Sequence, residues 1–180
     1  SGPCPAGHEC AAGTVTPTEC PEATFCPVGS GHSTPCPPGE TSFRSGMATA
    51  AECEACPRGY WCSSGRRIEC GVGMYNNKRG AADQSDCTPC PDGSDTSVVR
   101  NATSVTDCIC QAGMFASWTV NGSLSCTACP VGTDCESPGS SLTALPILEG
   151  YWRVSTLSYD VRRCPGSPSG SGCIGGVSIG

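Results

Sequence analysis

The feature of this chain that most restricts its fold is a set of eighteen cysteines that recur at regular spacing over 180 residues. A cysteine content above roughly 8 to 10% of a short chain is typical of a disulfide scaffold made in an oxidising compartment. The count is even, so every cysteine has a partner available within the chain. The sequence therefore predicts a disulfide-rich protein located outside the cell or on its surface.

The cysteines mark eight short units, most of which read CPxG at their start. These units open at Cys4, Cys20, Cys36, Cys56, Cys70, Cys90, Cys110 and Cys129. Glycine stands three positions after the opening cysteine in every unit except one, where Ala23 replaces it. Proline fixes φ and glycine tolerates positive φ, so each unit is predicted to begin with a tight turn.

The units are of two kinds, and the difference indicates how the cysteines pair. In four units a cysteine follows six positions after the first, whereas in the other four it follows 16 to 18 positions later. If every unit closes on itself, the bridges are Cys4–Cys10, Cys20–Cys26, Cys36–Cys53, Cys56–Cys62, Cys70–Cys87, Cys90–Cys108, Cys110–Cys126 and Cys129–Cys135, and Cys164–Cys173 completes the set.

Sequence alone does not fix this connectivity, because other pairings use the same cysteines. A pairing shifted by one cysteine would join Cys108 to Cys110, whose Cα atoms in extended chain lie near the roughly 7 Å upper limit for a disulfide. That strain favours self-closing units. An interleaved pairing, such as Cys56 with Cys70, stays open around the short units.

The chain has few of the residues that build a large core. Leucine, isoleucine and phenylalanine are sparse, and no stretch has the apolar spacing of a buried helix. A bridge that closes about 15 residues contributes roughly 3 kcal/mol in the loop-closure model, so disulfides can replace a core. We predict a small disulfide-rich fold: an elongated tandem array of short cysteine-rich modules with β-ribbons and little helix, plus a small C-terminal β-hairpin.

The predicted organisation has four parts: two short CPxGxxC units in 1–35, tandem long and short repeats in 36–135, a spacer in 136–144 and an aromatic hairpin tail in 145–180. Residues 114–120 end in Asn121-Gly122, which predicts a hairpin turn within the repeats.

The last 45 residues depart from the cysteine pattern. They carry the strongest strand signal of the chain, in the run from Leu145 to Cys164. We predict two strands there, built from Tyr151, Trp152, Val154, Tyr159 and Val161. In one interpretation these side chains form the core of the tail. In the other, Tyr151, Trp152 and Tyr159 form a contact surface for a neighbouring module or chain.

Other chemistry finds little support in the residues. The CxxC pairs beginning at Cys53, Cys87 and Cys126 have the spacing of zinc ligands, yet each joins the end of one unit to the start of the next. The two histidines, His8 and His32, occupy different repeat positions and have no carboxylate pattern beside them. We therefore predict no metal site, no cofactor and no catalytic residue.

Charge and hydropathy restrict the partners. A net charge of −6 without clustered Lys and Arg argues against nucleic-acid binding. No apolar run approaches the roughly 20 residues that span a bilayer. The chain starts with Ser1 and not with methionine, so we expect a processed chain or a fragment whose anchor, if it has one, lies elsewhere.

Two sequons predict N-linked glycans. Asn101-Ala102-Thr103 and Asn121-Gly122-Ser123 both have the N-x-S/T pattern and fall in the long loops. Glycosylation at Asn101 and Asn121 would agree with secretion.

The repeats resemble the ephrin-receptor-like, or GCC2/GCC3, cysteine-rich repeat, which is itself similar to modules of tumour-necrosis-factor receptors. The resemblance covers residues 4–135 and is carried by CPPG at Cys36 with CEAC at Cys53, CGVGMY at Cys70 with CTPC at Cys87, CPDG at Cys90, and CQAGMF at Cys110 with CTAC ending at Cys129. The short units are also similar to CPxGxxC repeats of large algal and protist surface proteins.

That resemblance implies an extracellular rod of disulfide-bonded modules and implies no enzymatic activity. The leading hypothesis is a glycosylated structural and interaction segment of a cell-surface protein or extracellular filament, which self-associates or contacts neighbouring modules. The alternative is a receptor ectodomain that binds a protein ligand.

Overall fold

The computed structural model describes residues 2–165 as a series of short antiparallel hairpins. Consecutive strands pair, β1 with β2 through β15 with β16: His8–Glu9, Thr18–Glu19, Thr24–Phe25, Thr34–Pro35, Glu40–Thr41, Glu54–Ala55, Tyr60–Ser63, Arg66–Glu69, Met74–Tyr75, Thr88–Pro89, Ser94–Asp95, Ile109–Cys110, Met114–Trp118, Leu124–Ala128, Tyr151–Arg153 and Val161–Arg163. The described helices are single 3₁₀ turns at Ala50–Glu52, Gln84–Asp86, Val105–Asp107 and Leu142–Ala144. The predicted class, small and disulfide-rich with β-ribbons and little helix, is confirmed.

The described residues form two compact bodies. The N-terminal body comprises the residues up to Pro89 together with Val98–Ser104. The C-terminal body comprises Cys90–Ser97 and the described chain from Val105. Each body holds complete disulfide bridges, since both cysteines of every described pair fall in the same body.

Eight disulfides join the cysteines of the described units. They are Cys4–Cys10, Cys20–Cys26, Cys36–Cys53, Cys56–Cys62, Cys70–Cys87, Cys90–Cys108, Cys110–Cys126 and Cys129–Cys135. Each of these pairs is the one that self-closing units predict, and the two Cα atoms of each bridge lie 5.5 to 6.4 Å apart. The ninth predicted bridge, Cys164 with Cys173, includes a residue outside the described part.

The turn that opens each unit has the backbone conformation that the glycines predict. With the opening residue as position 1, the glycine at position 4 has a positive φ, from 76° at Gly93 to 92° at Gly132. Ala23, which replaces that glycine in the second unit, adopts the same left-handed conformation with φ 61°. The turn is therefore a property of the repeat, and Ala23 bears the steric cost of a Cβ there.

Backbone hydrogen bonds join consecutive units, and the fourth unit is bonded on both sides. In the fourth unit, Cys56 N–H donates to the Gly39 carbonyl and Gly39 N–H donates to the Cys62 carbonyl, at 2.8 and 2.9 Å. The following loop closes the other side, where Gly80 donates to Cys56 and Cys62 donates to Ala81. Both cysteines are 0% exposed. The backbone N–H and carbonyl groups of both cysteines are therefore all hydrogen-bonded, as buried polar groups require. We call a cystine that is bonded in this way on both sides bracketed.

Position 7 is buried in three of the four long units and in the tail, although no cysteine stands there. The buried residues are Ser42, Asn76, Thr96 and Arg153, whereas Ala116 of the seventh unit is half-buried. The side chain of Asn76 donates to the Tyr60 carbonyl at 2.7 Å. Burial at this position therefore does not require a disulfide.

The tail continues the repeat, which the cysteine pattern did not predict. Residues Ile147 to Arg153 read ILEGYWR and parallel CPRGYWC at 56–62, with Ile147 at position 1 and Arg153 at position 7. Gly150 at position 4 has φ 83°. Leu148 N–H donates to the carbonyl of Gly132, the position 4 glycine of the preceding unit. The chain from Ile147 is therefore a ninth unit without its disulfide.

The register of the tail hairpin supports this alignment. Tyr151 at position 5 pairs with Arg163, which immediately precedes Cys164. In the fourth unit, Tyr60 at position 5 pairs with Glu69, the residue before Cys70. The predicted C-terminal hairpin is thus confirmed, although Val154 and Tyr159 lie in its connecting loop and not in its strands.

The segment predicted as a spacer is bonded to the seventh unit. Gly139 N–H donates to the Cys110 carbonyl at 2.8 Å, and Ala116 N–H donates to the Ser140 carbonyl at 2.7 Å. These bonds repeat the pattern that Gly80 and Ala81 make in the N-terminal body. Residues 137–141 are therefore an integral loop of the C-terminal body.

A small apolar cluster lies in the C-terminal body. Phe115, Leu145 and Cys135 are buried together, and Cys129 and Leu142 pack against them. Phe115 belongs to the hairpin of β13 and β14, which the sequence predicted from residues 114–120 and the following Asn-Gly turn. Gly122 in that turn has φ 74°. This cluster supports the groove described next.

Candidate contact surface

The three aromatic side chains predicted as a contact surface occupy different environments. Tyr151 and Trp152 are half-buried in β15, and a Cβ on Gly132 would overlap the ring of Tyr151. Tyr159 is 73% exposed in the loop of the same hairpin. Tyr151 thus serves the packing of the ninth unit, whereas Tyr159 is available to a partner.

Tyr159 lines an apolar groove in the C-terminal body, which we call the tail groove. Its volume is about 560 Å³. The lining residues come from the β13–β14 hairpin, the start of the eighth unit, the 3₁₀ turn at Leu142–Ala144 and the loop of the tail hairpin: Phe115, Ser117, Thr127, Ala128, Pro130, Leu142, Leu157 and Tyr159. Leu157, like Tyr159, is largely exposed. The surface is therefore apolar and open.

Arg153 is bonded to two of the elements that line the tail groove, the 3₁₀ turn at Leu142–Ala144 and the loop of the tail hairpin. Its side chain is 1% exposed and donates to backbone carbonyls of Leu142, Thr143, Leu145 and Thr156, with the shortest distance 2.7 Å to Leu142. Burial lowers the pKa of Arg153 from its ordinary value. Carbonyl groups accept from both terminal nitrogens of the guanidinium, in place of the carboxylate that buried arginines usually find, whereas Nε is buried and has no hydrogen-bond partner in residues 2–165.

Arg153 was not predicted from the sequence, because an arginine in a strand usually lies at the surface. The available signal was the match between GYWR in the tail and GYWC in the fourth unit, which places Arg153 at a buried position. A guanidinium offers five donors in a fixed plane, so it can bind several carbonyls at once.

The two sequons differ in accessibility. Asn121 is exposed at the tip of the β13–β14 hairpin, followed by exposed Ser123. Asn101 has φ 58° and occupies the place that glycines such as Gly80 take in other loops. The Oδ1 atom of Asn101 is buried and has no hydrogen-bond partner in residues 2–165.

A second surface feature lies in the N-terminal body. The Arg67 guanidinium stacks 3.5 Å from the ring centroid of Phe43 and 5.6 Å from that of Tyr60. The stacking covers Phe43 with a cation, which is a favourable arrangement at a protein surface.

The residues considered for metal chemistry form no ligand cluster in the described part of the chain. In residues 2–165 no three His, Cys, Asp or Glu side chains come together to hold a metal ion. The CxxC cysteines at Cys53, Cys87 and Cys126 are all in disulfides. None of the helices in the same stretch has the length and apolar character of a membrane span.

Comparison of the chain with protein-family models and with curated protein sequences finds no match. The disulfide-rich fold of short hairpins fits an extracellular structural or interaction module.

Proposed function

We propose that this chain is a non-enzymatic, glycosylated segment of a cell-surface protein or extracellular filament, and that the tail groove binds an apolar side-chain cluster of another protein. The disulfide-bonded units supply a rigid frame for that contact. The observation that carries the proposal is the position of Leu157 and Tyr159, which are largely exposed beside an apolar groove of about 560 Å³.

Exposed apolar side chains around a concave surface are typical of protein contact sites, because burying them on association removes apolar area from water. Tyrosine is frequent at such sites since its ring packs and its hydroxyl still finds a polar partner. The Arg153 hydrogen bonds hold the groove wall in place, so little ordering entropy would be lost on binding.

The test is sedimentation velocity of the purified, disulfide-intact chain over a wide concentration range. We expect concentration-dependent association, and we expect the double variant Leu157→Ser with Tyr159→Ser to weaken it at least ten-fold. The matched control is Val15→Ser with Val28→Ser, which removes exposed apolar side chains of the N-terminal body.

A chain that stays monomeric at high concentration would count against self-association. If such a chain instead captured one distinct extracellular protein, and the groove variant lost it, the ligand-binding receptor ectodomain would be the better description. Equal association by the groove variant and the control would remove the tail groove from the proposal.

A further inference from the structure

The first unit leaves two backbone groups open on the side where later units meet a predecessor. The Cys4 carbonyl accepts from Gly29 N–H and Cys10 N–H donates to the Ser30 carbonyl, so the following loop satisfies one side. Within residues 2–165, the N–H of Cys4 and the carbonyl of Cys10 have no hydrogen-bond partner. The first unit therefore lacks the two hydrogen bonds that Gly39 makes with Cys56 and Cys62 in the fourth unit.

The joints inside the chain show what completes such a bracket. At four joints a single position 4 glycine accepts from the position 1 N–H of the next unit and donates to its position 7 carbonyl. These glycines are Gly7, Gly39, Gly59 and Gly113, each with both bonds between 2.7 and 3.1 Å. One glycine in a left-handed turn is thus the complementary group for the two open atoms.

The exposure of the cysteines differs between the bracketed units and the first unit. The cysteines of the bracketed second and fourth units, Cys20–Cys26 and Cys56–Cys62, are 0% exposed. In the first unit Cys4 is 9% exposed and Cys10 is half-buried. The open side of the first cystine is therefore a surface that is covered in the second and fourth units.

A second copy of the same described units offers no open turn to this edge. The position 4 carbonyls already accept a hydrogen bond from within the chain at Gly7, Ala23, Gly39, Gly59, Gly93, Gly113, Gly132 and Gly150, and Gly73 also has an interaction partner. A docking glycine has to come from a unit outside residues 2–165.

We propose that the edge formed by Cys4 N–H and the Cys10 carbonyl is a docking surface for one further cysteine-rich unit of the CPxG type. The glycine of that unit accepts from Cys4 and donates to Cys10, in the left-handed conformation that Gly39 has with φ 80°. Neither proline nor a β-branched residue at that position supports the joint, because both exclude positive φ.

The test inserts a copy of residues 4–19 between Pro3 and Cys4, which reproduces the 16-residue spacing from Cys4 to Cys20. The control insertion carries proline in place of the copied Gly7. Non-reducing peptide mapping establishes that the copied bridge has formed in both chains. The readout is hydrogen exchange of the Cys4 amide, followed by NMR.

We expect the Cys4 amide to exchange at least roughly ten-fold more slowly with the glycine insertion than with the proline insertion. Equal exchange in the two chains, with both copied bridges formed, would overturn the proposal. Concentration-dependent slowing of Cys4 exchange in the unmodified chain would overturn it as well, because the occupant would then be a second copy.

Discussion

Arg153 occupies the position in the ninth unit that Cys62 holds in the fourth. Both residues follow Gly-Tyr-Trp, and both are buried at position 7. Cys62 is bonded to Cys56, whereas the ninth unit has Ile147 at position 1 and Arg153 donates to backbone carbonyls instead. A charged side chain thus stands where a short unit has a disulfide, while the left-handed turn at position 4 and the register of the hairpin are retained.

The first prediction is that the ninth unit accepts the missing disulfide. The double variant Ile147→Cys with Arg153→Cys should form an intramolecular bridge, because the four short pairs have Cα atoms only 5.7 to 6.4 Å apart at the same positions. Intact mass before and after alkylation measures the bridge. Two alkylated thiols in the oxidised protein would show that the alignment of the ninth unit is wrong.

The second prediction concerns the hydrogen bonds of Arg153. Arg153→Met should destabilise the tail by about 3 kcal/mol, because several carbonyls lose a charged donor in a buried site. Arg162→Met is the control, since Arg162 forms an exposed ion pair with Asp160 whose loss should leave the stability of the tail nearly unchanged. Amide exchange of Leu148 measures the opening free energy of the tail. Equal effects of the two substitutions would contradict a structural role for Arg153.

The third prediction separates backbone conformation from crowding at the position 4 glycines. Gly39 and Gly73 have φ values of 80° and 82°, so alanine carries the same dihedral penalty of about 1 kcal/mol at both. A Cβ on Gly39 would also lie 2.6 Å from the Gly80 carbonyl oxygen, whereas a Cβ on Gly73 would have no described atom within 4 Å.

Gly39→Ala should therefore cost about 3 kcal/mol or more in chemical denaturation with the disulfides intact, and Gly73→Ala about 1 kcal/mol. Similar costs at the two positions would mean that the joint between units tolerates a displaced Gly80 loop.

Cysteine spacing predicted much of the fold. The self-closing pairs, the left-handed turns and the hairpin at 114–120 all follow from local residue types, because proline, glycine and loop length restrict the backbone directly. The ninth unit was not predicted, because Ile147 and Arg153 stand at positions 1 and 7 in place of cysteines. Its hydrogen bond to the preceding unit runs from Leu148 N–H to the Gly132 carbonyl. Backbone hydrogen bonds between distant residues cannot be predicted from residue types, because nearly every residue carries the same donor and acceptor.

The fourth prediction is that acid weakens the loop around Glu52. Hydrogen bonds from the backbone N–H groups of Ala48 and Thr49, at 2.8 and 3.1 Å, lower the pKa of Glu52 below its ordinary value of 4.5. A pKa that is lower in the folded state means stabilisation that is fully present above pH 4.5 and is lost as the pH falls through the folded value.

Protection of the Ala48 and Thr49 amides, expressed relative to the intrinsic exchange rate, should therefore fall below pH 4.5. Glu52→Gln should show low protection at every pH, while Glu22→Gln at an exposed turn should follow the unmodified chain. Unchanged protection of these amides down to pH 2 would contradict the role of Glu52.

The fifth prediction assigns different roles to the two sequons. Secretion from a eukaryotic host should place an N-glycan on Asn121, because this residue lies exposed at a hairpin tip, and leave Asn101 largely unmodified. At Asn101 the left-handed backbone packs its carbonyl against Gly59, where an added Cβ would lie 2.5 Å away, and its Oδ1 atom is buried. Asparagine tolerates that conformation better than most residues.

Intact mass before and after deglycosylation measures occupancy. Asn121→Gln should remove the glycan mass. Asn101→Gly should keep the glycan and leave stability unchanged or slightly raised, since glycine adopts positive φ without cost. Asn101→Val should keep the glycan and lower stability by about 2 kcal/mol, because a β-branched residue resists the left-handed region. A full glycan on Asn101 in the folded, secreted chain would show that its side chain reaches solvent and that its role is modification.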